Sequence, residues 1–105
     1  MADAYATIRT AILEKKQITA TYQGRYREMC PHVLGMTHGE PHALLYQFGG
    51  ESSSGLEPDG SGNNWRCVFV DQMEDVEMHD GDWHTAPNHS RPQSCVATIE
   101  VEVQF

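Results

Sequence analysis

The chain has 105 residues, 39% of them apolar, with nine aromatics, enough for one modest core and too short for two ordinary domains. Its formal charge of −8 argues against a general DNA or RNA binder, whose affinity rests on neutralising phosphates. No stretch approaches the length of an apolar membrane span, and "MADAYATIRTAILEKK" lacks the basic start and apolar run of a secretory signal.

In chain order, the first predicted element is an amphipathic helix over 3–15. Asp3 is its candidate N-cap, Tyr5, Ile8, Ala11 and Ile12 recur at spacings of three and four, and Lys15 and Lys16 suit its C-terminal end. At Gln17 the period changes to two: Ile18, Ala20 and Tyr22 face one way and Thr19, Thr21 and Gln23 the other, the pattern of a half-buried strand. Gly24 supplies a turn. "YREMCPHVLG" continues as a second strand, whose Pro31 belongs at an edge or a bulge because it cannot donate to a ladder. "THGEPH" is another turn and "ALLYQF" a compact apolar strand.

From Gly49 to Asn64 the only apolar side chain is Leu56, and the stretch reads as a long hairpin loop of turn-formers that could also serve as a lid. "WRCVFV" is the next strand, "DQM" a tight corner and "EDVEMH" a weakly alternating fifth strand. Residues 80–95 form an irregular crossing segment. In the last strand, 96–105, Ala97, Ile99, Val101, Val103 and Phe105 share one face. The whole is expected to be a single domain, mainly β with one N-terminal helix, folded as a small, partly open barrel with barrel strands over 17–79.

Charge is unevenly placed along this layout. Residues 1–35 hold Arg9, Lys15, Lys16, Arg25 and Arg27 against three acids, whereas 36–105 hold Arg66 and Arg91 against twelve. A local basic patch that grips one small anion is therefore compatible with an acidic chain. Arg25 and Arg27 lie at i and i+2 on one strand and Arg66 opens a later strand beside Trp65, where guanidinium forks can bind phosphate or carboxylate. The competing role for these arginines is ion pairing with the surplus carboxylates.

Other chemistry is poorly supported. "GGESSSG" lacks the lysine, the spacing and the following helix of a phosphate loop. Cys30, Cys67 and Cys95 are an odd, sparse set without CxxC spacing and read as reduced thiols of a cytoplasmic protein. Cys30 and His32, with His84, His89 and Cys95, match no zinc module, so no metal is expected. Cys30 and His32 could also be a nucleophile and base, but no oxyanion donors can be assembled around them, and a non-enzymatic chain is expected.

The order of "IRTAILEKKQITATYQG", "RYREMCPHVLG", "ALLYQF" and "WRCVFVDQMEDVEM" resembles the WYL domain over roughly residues 8–79. Arg27, Met29 and Pro31 fit its R-x-[hydrophobic]-x-P strand, and Arg66 to Met73 fit its later strand and corner. The Trp-Tyr-Leu triplet itself is replaced by "PHALLY", and Val68 departs from the phenylalanine expected near Arg66. The resemblance implies an Sm-like or SH3-like barrel and a free-standing, ligand-sensing regulatory module of bacterial or bacteriophage origin. On this reading a nucleotide or short single-stranded nucleic acid binds at Tyr22, Arg25, Arg27, His32, Tyr46, Trp65 and Arg66. Tyr22 and Tyr46 would supply stacking faces, and Arg27 and Arg66 would hold the phosphate, with no cofactor. An interaction subunit that assembles through strand edges is the alternative, and a Cys/His metal-binding protein the third. The last strand, alternating up to the end of the sequence, points towards a homo-oligomer.

Overall fold

The computed structural model describes residues 3–50, 64–85 and 95–103. The body of the expected 49–64 loop, most of the crossing segment, His89 and Phe105 lie outside the described residues. Helix α1 spans Ala4–Glu14. The Asp3 carboxylate accepts from the Tyr5 backbone N–H at 3.4 Å, satisfying one of the donors that a helix start leaves open. Lys15 closes the helix in the left-handed region at φ 52°, and its N–H and that of Lys16 donate to Ile12 and Ala11 carbonyls. Ile8, Ala11 and Ile12 are buried, so the three-and-four spacing of the sequence does mark the inward stripe.

Strands β1 (Gln17–Tyr22), β2 (Arg25–Thr37), β3 (Glu40–Gly50), β4 (Trp65–Phe69), β5 (Met73–His79) and β6 (Thr98–Glu102) follow, with a 3-10 turn at Val70–Gln72 between β4 and β5. They form one antiparallel sheet in the order β4-β3-β2-β1-β5, with β6 also paired to β2. The sheet does not close, and the fold is mainly β with an N-terminal helix, a small partly open barrel as expected. Both β1–β2 and β2–β3 turn on two residues with positive φ, Gln23-Gly24 and His38-Gly39, the backbone twist that suits tight hairpins.

β2 organises the rest. Its first half pairs with β1 through Arg25–Met29 and its second half with β6 through Val33–Met36, so β1 and β6 lie end to end along one edge of β2. Between them the β2–β3 register shifts at Pro31/Val33, the bulge that Pro31 demands. The His32 carbonyl there accepts from the Val103 N–H at 2.8 Å. Where β6 crosses, a Cβ on Gly35 would lie 2.0 Å from the Thr98 carbonyl oxygen, so that approach requires glycine.

The inner face buries Ile18, Ala20, Met29, Leu34, Ala43, Leu45, Val68 and Val70 beneath α1. The outer face of β2–β3–β4 is also covered, by Val33, Leu44, Cys95 and Val96 with Trp65 packed against them. Burial on both faces explains why β2 from Met29 to Gly35 shows no alternation.

Two expectations are corrected. Cys67 and Cys95 form a disulfide with Cα atoms 5.6 Å apart, so two of the three cysteines are not reduced thiols, and the cysteine argument for a cytoplasmic protein falls with them. Ile99 is 45% exposed while Val101 and Val103 are buried. A register shift between Leu34 and Gly35 skips Glu100 and reverses the inward phase of the strand. Finally, β6 pairs with β2 within its own chain, so one edge of the last strand closes internally.

Candidate functional site

Four of the seven expected ligand-binding residues share the inner face at one end of the sheet. In antiparallel register Tyr22 opposes Arg25 and Ala20 opposes Arg27, and residues opposite one another point to the same face. Ala20 and Tyr22 belong to the inner core, so Arg25 and Arg27 project to that side. On β4, Arg66 opposes Leu45, another inner residue, and lies two positions before buried Val68.

Arg27 is the unusual member. It is only 3% exposed, and its guanidinium carbon lies 5.4 Å from the centroid of the Tyr22 ring, within cation–π range. Its Nε–H is buried and has no hydrogen-bond partner. Among the described residues no carboxylate lies within ion-pair distance of Arg25 or Arg27. Burial pushes the Arg27 guanidinium below its ordinary value, and the charges of Arg66 and then Arg25 push the same way, with Tyr22 opposing. Both neighbouring charges thus act on Arg27. Burial also lowers Arg66.

Arg66 is held by a residue that the sequence reading passed over. Gln47 is fully buried. Its Oε1 accepts from Arg66 Nε at 3.1 Å, and its Nε2 donates to the Gly49 carbonyl at 2.9 Å. Arg66 Nη1 donates to the Trp65 carbonyl at 3.1 Å. The available signal was a glutamine in phase with Ala43 and Leu45, the inward residues of an otherwise apolar strand. Tyr22 is anchored at its far end, where its hydroxyl oxygen accepts from the Phe69 N–H at 3.1 Å.

His32, Tyr46 and Trp65 do not join this group. Tyr46 opposes Trp65 across β3–β4 and Cys30 across β2–β3, one residue out of phase with Leu45 and Arg66, so these side chains take the outer face. There His32 meets the edge of Trp65 at 4.6 Å and lies 4.8 Å from Trp83, and Tyr46 meets Trp65 at 5.2 Å. Tyr46 and His32 are fully buried, and they pack the outer layer rather than present a stacking face. His32 Nδ1 donates to the Cys30 carbonyl at 2.8 Å, which leaves Nε2 to accept from the Thr85 hydroxyl at 3.0 Å.

These contacts also bear on metal. Among the described residues no three of His, Cys, Asp and Glu gather as a ligand set; Cys95 is in the disulfide and the Cys30 sulfur accepts from the His84 N–H at 3.3 Å. A groove of about 260 Å³ between α1 and β6, lined by Ile12, Leu13, Lys15, Glu100, Val101 and Glu102, carries two carboxylates and suits no anion. No helix among the described residues is long and apolar enough to cross a membrane. Comparison with protein-family models, with curated proteins and with solved structures returns no match.

Proposed function

We propose that this chain is a non-enzymatic binding module of the WYL type that takes a small anionic ligand at Arg25, Arg27 and Arg66. One observation carries the reading: the Arg27 guanidinium is buried, retains an unused Nε–H donor and meets no carboxylate among the described residues. A buried cation without a partner is costly, on the order of several kcal/mol, and an anion bound against it would remove much of that cost. Gln47 steadies Arg66 beside it, as an anion site needs.

Strand-edge assembly has no comparable support. One edge of β6 is paired internally to β2. The edge strand β5 is broken by Asp75 at φ 52° beside a register shift, and it exposes Glu74, Asp75 and Glu77, which are devices that blunt an edge.

Thermal unfolding with and without phosphate, a nucleoside monophosphate or citrate tests the proposal. An anion that binds only the folded state stabilises it by about 2.7 kcal/mol at one hundred times its Kd. The expected result is such a gain in the native protein, absent in folded Arg27→Met. No gain with any anion at millimolar concentration would sink it.

A further inference from the structure

The Cys67–Cys95 bridge is unequal at its two ends. Cys67 sits in the edge strand β4 and is exposed, whereas Cys95 is 9% exposed and packs with Val33, Leu44 and Val96. A thiolate arriving from solvent therefore meets the Cys67 end of the bond first, and access decides which sulfur of a disulfide is attacked. Cys30 is fully buried, with its sulfur accepting from the His84 N–H, so it stays outside such an exchange.

Cys95 is equipped to be the sulfur that leaves. It lies 3.4 Å from the Ala43 carbonyl oxygen. In the bridge it has no hydrogen to give; as a thiol it donates to that carbonyl, so opening the bond leaves no new buried donor unpaired. Nor does either end rely on the bond alone to keep its place. The Thr37 hydroxyl donates to the Cys95 carbonyl at 2.7 Å and accepts from the Ala97 N–H at 3.1 Å, Val96 is buried, and β6 follows, paired to β2. On the other side β4 pairs with β3, Val68 is buried and the Phe69 N–H meets the Tyr22 hydroxyl. The two sulfurs thus remain neighbours after the bond opens, as re-closure requires. Exposed disulfides are the labile ones, open to exchange without unfolding.

We propose that Cys67 and Cys95 form a reversible thiol-exchange site in the folded protein, with low-molecular-weight thiols of the glutathione class as co-reactant. Cys67 is the sulfur attacked and Cys95 the leaving and resolving sulfur. The incoming thiolate forms a sulfur–sulfur bond to Cys67, the Cys67–Cys95 bond breaks, and its electron pair stays on Cys95, which takes a proton. The mixed disulfide then has two exits. Cys95 loses its proton, attacks Cys67 and expels the small thiol, restoring the bridge. Alternatively a second small thiolate attacks the sulfur of the first and expels Cys67, which is protonated. By that route two small thiols are oxidised to one disulfide, and their two electrons reduce the bridge to two thiols. None of these steps depends on the anion-binding reading above.

The test incubates the bridged native protein with reduced glutathione across urea concentrations below the unfolding transition. Samples are quenched with N-ethylmaleimide in denaturant, and the modified cysteines are mapped by mass spectrometry. The expected result is glutathione on Cys67, maleimide on Cys95 and Cys30, a rate unchanged across the urea series, and circular dichroism that stays native on reduction. When free thiol is removed the native protein should lose the Cys67 adduct by re-forming the bridge, whereas Cys95→Ala should keep it. Should that variant fail to fold, the urea series decides alone. A rate that climbs with urea in step with global unfolding would overturn the proposal and make the bridge a staple. Glutathione on Cys95 would overturn the assigned roles, and loss of native circular dichroism on reduction would overturn exchange in the folded state. A protein that forms no bridge in oxidised glutathione would overturn it at the outset.

Discussion

The Arg27 guanidinium lies over the face of the Tyr22 ring, 5.4 Å from its centroid, with its Nε–H facing no acceptor. The ring recovers part of the desolvation cost, since cation–π contacts reach about 2 kcal/mol when desolvated, but it accepts no hydrogen bond in the plane of the guanidinium. Tyr22 thus holds the side chain in place without neutralising it. That division leaves the Nε–H donor unsatisfied within the fold.

The first prediction follows directly. Arg27→Met keeps a long, flexible side chain at a buried position and removes a charge that has no counter-ion among the described residues. In the absence of ligand this substitution should stabilise the protein by about 1–3 kcal/mol, the cost typical of an unsatisfied buried donor. Urea denaturation of the two proteins in a non-coordinating buffer measures it. Destabilisation by a similar amount would mean that Arg27 is structurally compensated, and the anion site would lose its central argument.

The second concerns the Cys67–Cys95 bridge, which closes a separation of 28 residues and ties β4 to the segment leading into β6. Closing a loop of this length restricts the unfolded chain by about 3–4 kcal/mol. Oxidised protein unfolded in guanidinium without reductant should titrate with a thiol reagent as one free thiol, that of buried Cys30. Cys67→Ser should lower stability by roughly the loop-closure amount. Three titrating thiols would show that the bridge does not form. Because Arg66 precedes Cys67 on β4, the same variant should also weaken any phosphate response.

The helix, the strand order in sequence and the bulge at Pro31 were all legible, because each is fixed by neighbours in the chain: an N-cap at Asp3, alternation through Ile18, Ala20 and Tyr22, a missing donor at residue 31. What was not legible depends on distant pairing. Ile99 points outward only because β6 skips Glu100 against β2, and no local pattern encodes that skip. Cys67 and Cys95 meet only once the outer face of β4 is covered. His32, Tyr46 and Trp65 carry the residue types of a binding site, yet a second covering layer turns them into core. The arginines were legible as a group since i and i+2 on one strand must share a face; that Arg66 joins them, held by Gln47, required the β3–β4 register.

The third prediction uses the ion pair between Lys16 and Asp80, which links the end of α1 to the residue after β5. Its hydrogen bond and charge raise the Lys16 pKa above its ordinary 10.5 and lower that of Asp80 below 3.8. A depressed acid contributes stability above its unfolded value that is lost as pH falls through the folded one; a raised base contributes below its unfolded value and loses it as pH rises through the folded one. The coupling in a Lys16→Ala, Asp80→Ala double-mutant cycle should therefore be level near neutral pH, fade on both sides of the interval between those two values, and shrink with added salt because the Asp80 carboxylate is exposed and Lys16 only partly buried. A coupling unchanged well below the ordinary Asp value would show that the pair is not the source.

The last prediction separates the two roles open to the final strand. Val101 is 9% exposed and pairs with Leu34 inside the chain, and Val103 beyond it donates to the His32 carbonyl. If β6 completes the fold, Val101→Pro removes a donor, restricts the backbone and empties a core position at once, so it should cost about 3 kcal/mol or more. It would then act as a folding defect: a lower urea midpoint at every protein concentration, with the mass by light scattering unchanged for the molecules that remain folded. If β6 instead held two copies together, the same substitution would release a folded smaller species, and the stability of the unmodified protein would rise with concentration. The internal register with Val33 to Met36 and the glycine-dependent contact at Gly35 favour the first outcome. A folded monomer liberated from a larger native species would overturn it and return the strand edge to the role of an interface.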